Sequence, residues 1–170
     1  GGGQTIGMEI DSGGGFAGTY NSVGQLDPLF NNMGAYCNLW YDDGTGNYVN
    51  GSLTKETKAV LGRLAELYKK GVLAEDFATR DYQASIASGY CGVVFGSWWI
   101  PSWPLNSTVA NNPEAVWAPY MVRAKAGGDY NVYNQNRNTW WAVVRKDYEH
   151  PEVLIKLLNC SVEAQVSFDG

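Results

Sequence analysis

A turn with three tryptophans follows a short apolar segment near the middle of the chain. Residues 91–95 form an apolar run of strand length, and Trp98, Trp99 and Trp103 come directly after it. Open α/β sheets hold their ligands at the carboxyl ends of strands, and flat indole rings stack on the flat apolar faces of a ligand. Because adjacent residues point in different directions, we expect one of Trp98 and Trp99 to pack in the core and the other to be available to a ligand.

The composition of the chain favours a polar, uncharged ligand. Seven Trp, eleven Tyr and fourteen Asn occur in 170 residues, of which only 17% are charged. Many of these rings are needed for a core, but amides and hydroxyls can also satisfy the hydroxyl groups of a ligand. The net charge of −5, with no basic cluster longer than Lys69-Lys70, argues against a nucleic-acid partner. No apolar run reaches the roughly 18 residues that span a bilayer.

Groups for catalysis or metal binding are sparse. The single histidine, His150, precedes Pro151 at the predicted start of a helix, and the three cysteines are widely spaced. The sequence therefore predicts no zinc site, no disulfide framework, no cofactor and no enzymatic activity. The acidic turn at 42–47 alternates oxygen ligands, but the distal bidentate Glu of a calcium loop is absent, so a plain hairpin is favoured.

Helical and strand periodicities alternate along the chain. Thr54 can cap the clearest helix, which Gly71 ends, and Thr79 is a candidate cap for the next one. The predicted elements are a strand at 4–10, a helix at 27–33, a hairpin at 37–50, helices at 54–70 and 81–88, a strand at 91–95 buried on both faces, a strand or edge at 116–121, a strand at 139–144 and a helix from 151. This order predicts an α/β fold.

Several stretches, taken in order, resemble the extracellular solute-binding proteins of family 1, the lipid-anchored sugar-capturing subunits of bacterial ABC importers. The resemblance covers roughly residues 45–160, and the combination is more specific than any one piece. The stretches are 57–61 (TKAVL), 67–73 (LYKKGVL), 75–79 (EDFAT), 87–99 (ASGYCGVVFGSWW), 112–120 (NPEAVWAPY) and 150–159 (HPEVLIKLLN).

The resemblance implies an α/β fold of one lobe of the type II periplasmic-binding-protein-like kind, with a mixed sheet flanked by helices. Residues 1–170 are then a single lobe with a glycine-rich start at 1–15, the excised second lobe of a two-lobed protein. The implied partners are a sugar or oligosaccharide and the membrane permease subunits of the importer. The implied protein is a monomer that lies outside the cytoplasm, anchored by a lipid on the cell surface in its full-length form.

The resemblance also implies the ligand-binding residues. Trp98 stands where maltose-binding-type proteins place a stacking tryptophan, with Trp99 and Trp103 as neighbours. The stretch 139–144 borders the cleft in that family, which brings Asn138 and Trp140 within reach; Trp40, in the hairpin, is a further candidate.

The chain departs from the family in length, since the resemblance implies only one of the family's two lobes. Members are usually two-lobed and more than twice this length, and they close around the ligand like a hinge. A single lobe offers half of the cleft, so we expect its affinity to be low.

Two interpretations from other classes remain open at this point. A glycan-active enzyme would need two carboxylates beside Trp98, with Glu75 and Asp76 as candidates. An interaction domain would instead use its exposed rings to contact a partner protein. Peptides and other polar solutes also suit aromatic walls with amides.

Overall fold

The computed structural model describes residues 5–11, 13, 16–18, 23–123, 128–130 and 141–166. The chain divides into two compact units, Gly1–Tyr133 and Asn134–Gly170. In chain order the elements are β1 (Ile6–Glu9), α1 (Asp27–Asn32), β2 (Trp40–Asp42), β3 (Tyr48–Asn50), a 3-10 turn (Gly51–Leu53), α2 (Lys55–Lys69), α3 (Tyr82–Ala87), β4 (Cys91–Val94), α4 (Leu105–Asn111) and α5 (Glu152–Val166). The predicted α/β class is confirmed.

The strands β1 and β4 pair in parallel, with Glu9 opposite Val94 at their carboxyl ends. The backbone of Gly24 joins the two ends: its N–H donates to the carbonyl of Phe95 (2.8 Å), and its carbonyl accepts from the N–H of Asp11 (3.1 Å). Gly24 has a φ of 78°, and a Cβ there would lie 2.6 Å from the nitrogen of Asp11, so only glycine fits. The segment that leads into α1 therefore lies across the carboxyl ends of both strands.

The predicted hairpin and the long helix after it are both confirmed. The strands β2 and β3 pair in antiparallel fashion around the acidic turn. The helix α2 begins where Thr54 caps it, with the hydroxyl oxygen accepting the N–H of Thr57 at 3.3 Å. The residues Val60 and Leu64 of this helix are buried. Gly71, which has a φ of 71°, follows the end of the helix.

The helix α3 confirms the second predicted helix, but the prediction that Thr79 caps it is wrong. The carboxylate of Asp81 caps α3 by accepting the N–H groups of Gln83 (3.0 Å) and Ala84 (3.1 Å). The hydroxyl of Thr79 instead donates to the carbonyl of Asp76 (3.3 Å) in the preceding turn. Asp81 stands directly before the first helical residue, where a carboxylate also interacts favourably with the helix dipole. The helix α4 was not predicted.

Two clusters of buried apolar side chains form the core of the first unit. Each brings together side chains from chain segments that are distant in sequence. The first cluster comprises Met8, Ile10, Leu26, Phe30, Ala35, Cys37, Val60, Leu64 and Leu73. The second comprises Ile6, Val23, Ala74, Ile86, Cys91, Ile100 and Leu105. Burial of such side chains is the main stabilising contribution to a domain of this size.

Three strand predictions need correction. The strand β4 is not buried on both faces, since Val93 is 49% exposed and β4 pairs only with β1 in the described residues. The stretch 116–121 forms no strand, and its Pro119 has no N–H to donate to a ladder. In the stretch 139–144, the described residues 141–144 form no strand, and the other two lie outside the described ranges. The predicted mixed sheet is thus two small sheets in the described ranges, one parallel and one antiparallel.

The predicted last helix is confirmed in the second unit by α5. Pro151 precedes its first residue, and His150 stands just before it, with Nδ1 lying 3.5 Å from the carboxylate of Glu152. Throughout the described part of the chain, every helix is too short or too polar to cross a membrane.

Candidate ligand-binding cleft

An open cleft of about 700 Å³ lies at the carboxyl end of β4. Its described lining comes from three parts of the first unit: 25–32, which includes α1, 94–109 from the end of β4 into α4, and 117–122 together with Tyr130. The volume falls within the range of roughly 300 to 1,000 Å³ that is typical of small-molecule sites. The sequence predicts a ligand site at this same end of the strand, where the tryptophan turn begins.

Of the two adjacent tryptophans, one lies in the cleft and the other packs inward. The side chain of Trp98 is 90% exposed and lines the cleft. Trp99 is half-buried against the second core cluster, and its ring stacks on that of Trp103 with centroids 6.0 Å apart. The expectation that one of the pair is core and the other available is confirmed.

The other predicted ligand residues that the structure describes do not line the cleft beside Trp98. In the described lining of the cleft, neither Trp99 nor Trp103 appears, and Trp40 lies on the hairpin strand β2 with 68% of its side chain exposed. Asn138 and Trp140 lie outside the described residues. Their roles in binding stay predictions.

Three buried polar side chains line the cleft, and each has at least one polar atom without a hydrogen-bond partner among the described residues. Gln25, Asp27 and Asn31 are only 3, 4 and 6% exposed, respectively. Both polar atoms of the Gln25 amide, Oδ2 of Asp27 and Oδ1 of Asn31 make no hydrogen bond. A buried polar group without a partner costs roughly 1 to 3 kcal/mol, so these groups are available to a polar ligand and gain from one.

The carboxylate of Asp27 is only partly compensated. Its Oδ1 accepts the N–H of Gly18 at 2.6 Å, and the described residues around the cleft include no Lys, Arg or His. Burial raises the pKa of Asp27, and the hydrogen bonds from Gly18 and from its own backbone N–H offset this only in part. Negative charge at this position is therefore poorly balanced by the protein itself.

An amide on α1 fixes the segment that carries most of the aromatic lining. Nδ2 of Asn32 donates to the carbonyl of Pro28 (2.6 Å) and to that of Val122 (2.7 Å). The tethered segment contributes Trp117 and Tyr120 to the cleft, and the ring of Tyr120 is 88% exposed. A single amide therefore ties this irregular segment to the helix that presents the unpartnered polar groups.

The strand end that enters the cleft also depends on close packing. Gly96 lines the cleft directly after β4, and a Cβ at this position would collide with the side chain of Ile100. Ile100 is a buried member of the second core cluster. The absence of a side chain at Gly96 therefore lets the tryptophan turn fold back onto the core and present Trp98 at the surface.

Two other buried ionisable groups, Glu9 and Cys91, lie outside the described lining of the cleft. Glu9 is buried opposite Arg80, with the Oε2–Nε distance 3.7 Å, and burial raises its pKa. Burial likewise raises the pKa of the Cys91 thiol to about 11, which keeps this cysteine protonated and unreactive at neutral pH. In the described part of the chain, no His, Cys, Asp and Glu side chains form a group of three that could hold a metal ion.

Sequence reasoning missed the polar lining and most of the aromatic lining of the cleft. Asp27 and Asn31 are four residues apart in a segment that is predicted as a helix, so the sequence places them on the same face. Nothing in that spacing indicates that the face is buried. The missed residues that line the cleft include Gln25, Asp27, Asn31, Asn32, Trp117, Tyr120 and Tyr130.

Comparison with models of protein families, with curated proteins and with solved structures gave no match to this chain.

Proposed function

We propose that this chain is a carbohydrate-binding lobe of the solute-binding protein of an ABC importer. Its ligand is a sugar or oligosaccharide, held in the cleft by ring stacking and by hydrogen bonds to amides. The lobe is monomeric and non-catalytic, and the full-length protein is lipid-anchored outside the cytoplasm, where it delivers its ligand to membrane permease subunits.

The observation that carries the binding proposal is the pairing of an exposed ring with unpartnered buried amides in one cleft. Trp98 offers a stacking surface, while the amide of Gln25 offers a donor and an acceptor, and Oδ1 of Asn31 an acceptor, that have no hydrogen-bond partner in the described part of the chain. A sugar has an apolar face and a rim of hydroxyl groups, so it can use both kinds of group at once.

The importer proposal is supported by the stretches that resemble family 1. The stretch 57–61 falls within α2, and 87–99 runs from the end of α3 through β4 into the tryptophan turn. The second stretch thus includes the ring that lines the cleft. A type II periplasmic-binding-protein-like lobe is the fold that this resemblance proposes for the chain.

The non-catalytic proposal is supported by the positions of the carboxylates. The enzyme alternative needs Glu75 or Asp76 beside Trp98, but neither lines the cleft in the described residues. Asp76 instead pairs with Arg80 at 3.2 Å. Asp27 is the one carboxylate among the described lining residues, whereas glycoside hydrolysis ordinarily uses two.

The test is an NMR titration of the ¹⁵N-labelled chain with mono-, di- and trisaccharides. We expect saturable shifts centred on residues 25–32 and 94–98, and a Trp98→Ala variant should bind about fivefold to tenfold more weakly because it loses the stacking surface. Tyr48→Ala is the matched control, since it removes another exposed ring, outside the described lining of the cleft.

Two results of this titration would contradict the proposal. No shift with any sugar at high concentration would remove the carbohydrate assignment. An equal loss of affinity in the Trp98→Ala and Tyr48→Ala variants would remove the cleft as the binding site, even if sugars bind.

A further inference from the structure

The charge inside the cleft limits which ligand fits it best. Asp27 is the only charged residue among the described residues that line the cleft, and none of the described ion pairs involves it. Its Oδ2 is buried and accepts no hydrogen bond, while Oδ1 accepts one from the backbone of Gly18. Among the described residues that line the cleft, no cation balances this carboxylate.

A neutral ligand leaves this imbalance in place. A hydroxyl group can donate to the carboxylate, but the net charge of the buried site remains, and burying an uncompensated charge is costly. A protonated amine both donates and neutralises, and such charge-assisted hydrogen bonds are about twice as strong as neutral ones.

The rings around the cleft favour the same charge. Trp98, Trp117 and Tyr120 line the cleft, and the face of an aromatic ring attracts a cation within about 6 Å of its centroid. The ring of Tyr130, which also lines the cleft, is already occupied, because the guanidinium of Arg123 lies 4.9 Å from its centroid and Nε of Arg123 donates to its hydroxyl at 3.0 Å. The rings of Trp98, Trp117 and Tyr120 are the ones that we expect a ligand cation to use.

We propose that the preferred ligand of the cleft is an amino sugar, a hydroxyl-bearing ring that carries a protonated amine for the carboxylate of Asp27. The hydroxyls of the same ligand pair with the free amide groups of Gln25 and Asn31. This inference rests on the proposed carbohydrate-binding function and changes the expected ligand from uncharged to singly positive.

The experiment compares glucosamine, glucose and N-acetylglucosamine, which differ only in the group that one ring carbon carries. Near neutral pH only glucosamine carries a positive charge, so we expect the unaltered chain to bind it more tightly than the other two. Asp27→Asn keeps the shape of the side chain and should weaken glucosamine binding roughly 10- to 100-fold, a larger factor than for glucose, which loses only a hydroxyl acceptor. Asp43→Asn, in the exposed hairpin turn, is the matched control and should change neither affinity.

Equal binding of glucosamine and glucose by the unaltered chain would overturn the inference and leave the proposed function intact. So would an equal loss of both affinities in Asp27→Asn, because Asp27 would then act as a plain hydroxyl acceptor. The comparison on the unaltered chain decides the matter even if the variant fails to fold. Binding of 1,4-diaminobutane but of no sugar would instead overturn the proposed function, and the amino-sugar assignment with it.

Discussion

The acidic hairpin turn and the cleft hold similar polar groups, but those of the turn are exposed and hydrogen-bonded, whereas those of the cleft are buried and have polar atoms without partners. In the turn, Oδ1 of Asp42 accepts the N–H groups of Gly44 (2.8 Å) and Gly46 (3.1 Å), and Oδ1 of Asp43 accepts both the N–H (2.8 Å) and the hydroxyl (2.6 Å) of Thr45. All of these residues are exposed to water. The turn is therefore a self-satisfied structure that needs no ligand.

The cleft reverses both conditions. Gln25, Asp27 and Asn31 are buried, and each has at least one polar atom without a partner. The turn looks richer in chemistry when the sequence is read alone, since it gathers carboxylates within a few residues. Its comparison with the cleft teaches that a binding site is recognised by hydrogen-bonding capacity left unused after folding, rather than by the density of polar residues.

The largest expected effect is on the free energy of unfolding, which should depend on a buried leucine beside the cleft and not on an exposed leucine beside the hairpin. Leu26 is fully buried between two of the cleft residues, so Leu26→Ala should lower the free energy of unfolding by roughly 2 to 5 kcal/mol, through lost burial and a cavity. Leu53→Ala, next to the hairpin, removes the same atoms from a side chain that is 86% exposed and should change stability by less than about 0.5 kcal/mol. Urea denaturation followed by circular dichroism measures both; similar losses would contradict the assignment of Leu26 to the core.

A smaller effect follows from removing one unpartnered group. Gln25→Met retains much of the side-chain volume and deletes the buried amide, so the free energy of unfolding should rise by about 1 kcal/mol while the affinity for sugar falls. The matched change in the turn is Asn47→Ala, which removes an amide that donates to the hydroxyl of Thr45 at 2.8 Å. It should leave sugar affinity unchanged and should not stabilise the chain. Loss of stability in Gln25→Met would show that its amide is satisfied after all.

The smallest expected effect is on pH dependence, and its sign differs between the two carboxylates. The pKa of Asp27 is raised above its ordinary value of 3.8 by burial, so the folded chain holds a proton that the unfolded chain has lost, and stability from this group falls as the pH rises through that interval. The pKa of Asp43 is lowered by hydrogen bonds from Thr45, so its stabilising contribution is lost as the pH falls through its folded pKa.

Unfolding measurements between about pH 2 and pH 7 on Asp27→Asn and Asp43→Asn separate these contributions, because the loss from Asp43 falls below its ordinary pKa and the gain from Asp27 above it. Relative to each variant, the unaltered chain should gain stability on acidification because of Asp27 and lose it because of Asp43. Differences of the same sign for the two variants would contradict one of the two assigned environments.

Local signals in the sequence predict much of the secondary structure. Thr54 and Gly71 mark the ends of α2 because a cap and a left-handed glycine are short-range features. Asp81, and not Thr79, caps α3. The prediction misplaces the cap by two residues because both side chains can accept a hydrogen bond from a backbone N–H. The stretch 116–121 has an apolar pattern that suits a strand, yet no strand forms there, since ladder partners are set by tertiary structure and not by composition.

The candidate site could be predicted only in part for the same reason. The position of Trp98 after an apolar run is a local signal, and it correctly indicated the strand end at which the cleft lies. The burial of Gln25 and Asn31 depends on the meeting of α1, the end of β4 and a segment about 90 residues further along the chain. Long-range packing of this kind leaves no trace in residue spacing.

The amide of Asn32 has a consequence for how a ligand enters. By bonding the carbonyl of Val122, it sets the separation between α1 and the aromatic segment when the chain folds. The conformational entropy of that segment is then lost during folding, and an arriving ligand does not have to spend binding free energy on ordering it. The cleft is thus preorganised on this side, and cutting this one hydrogen bond, for example with Asn32→Ala, transfers the entropic cost from folding to binding.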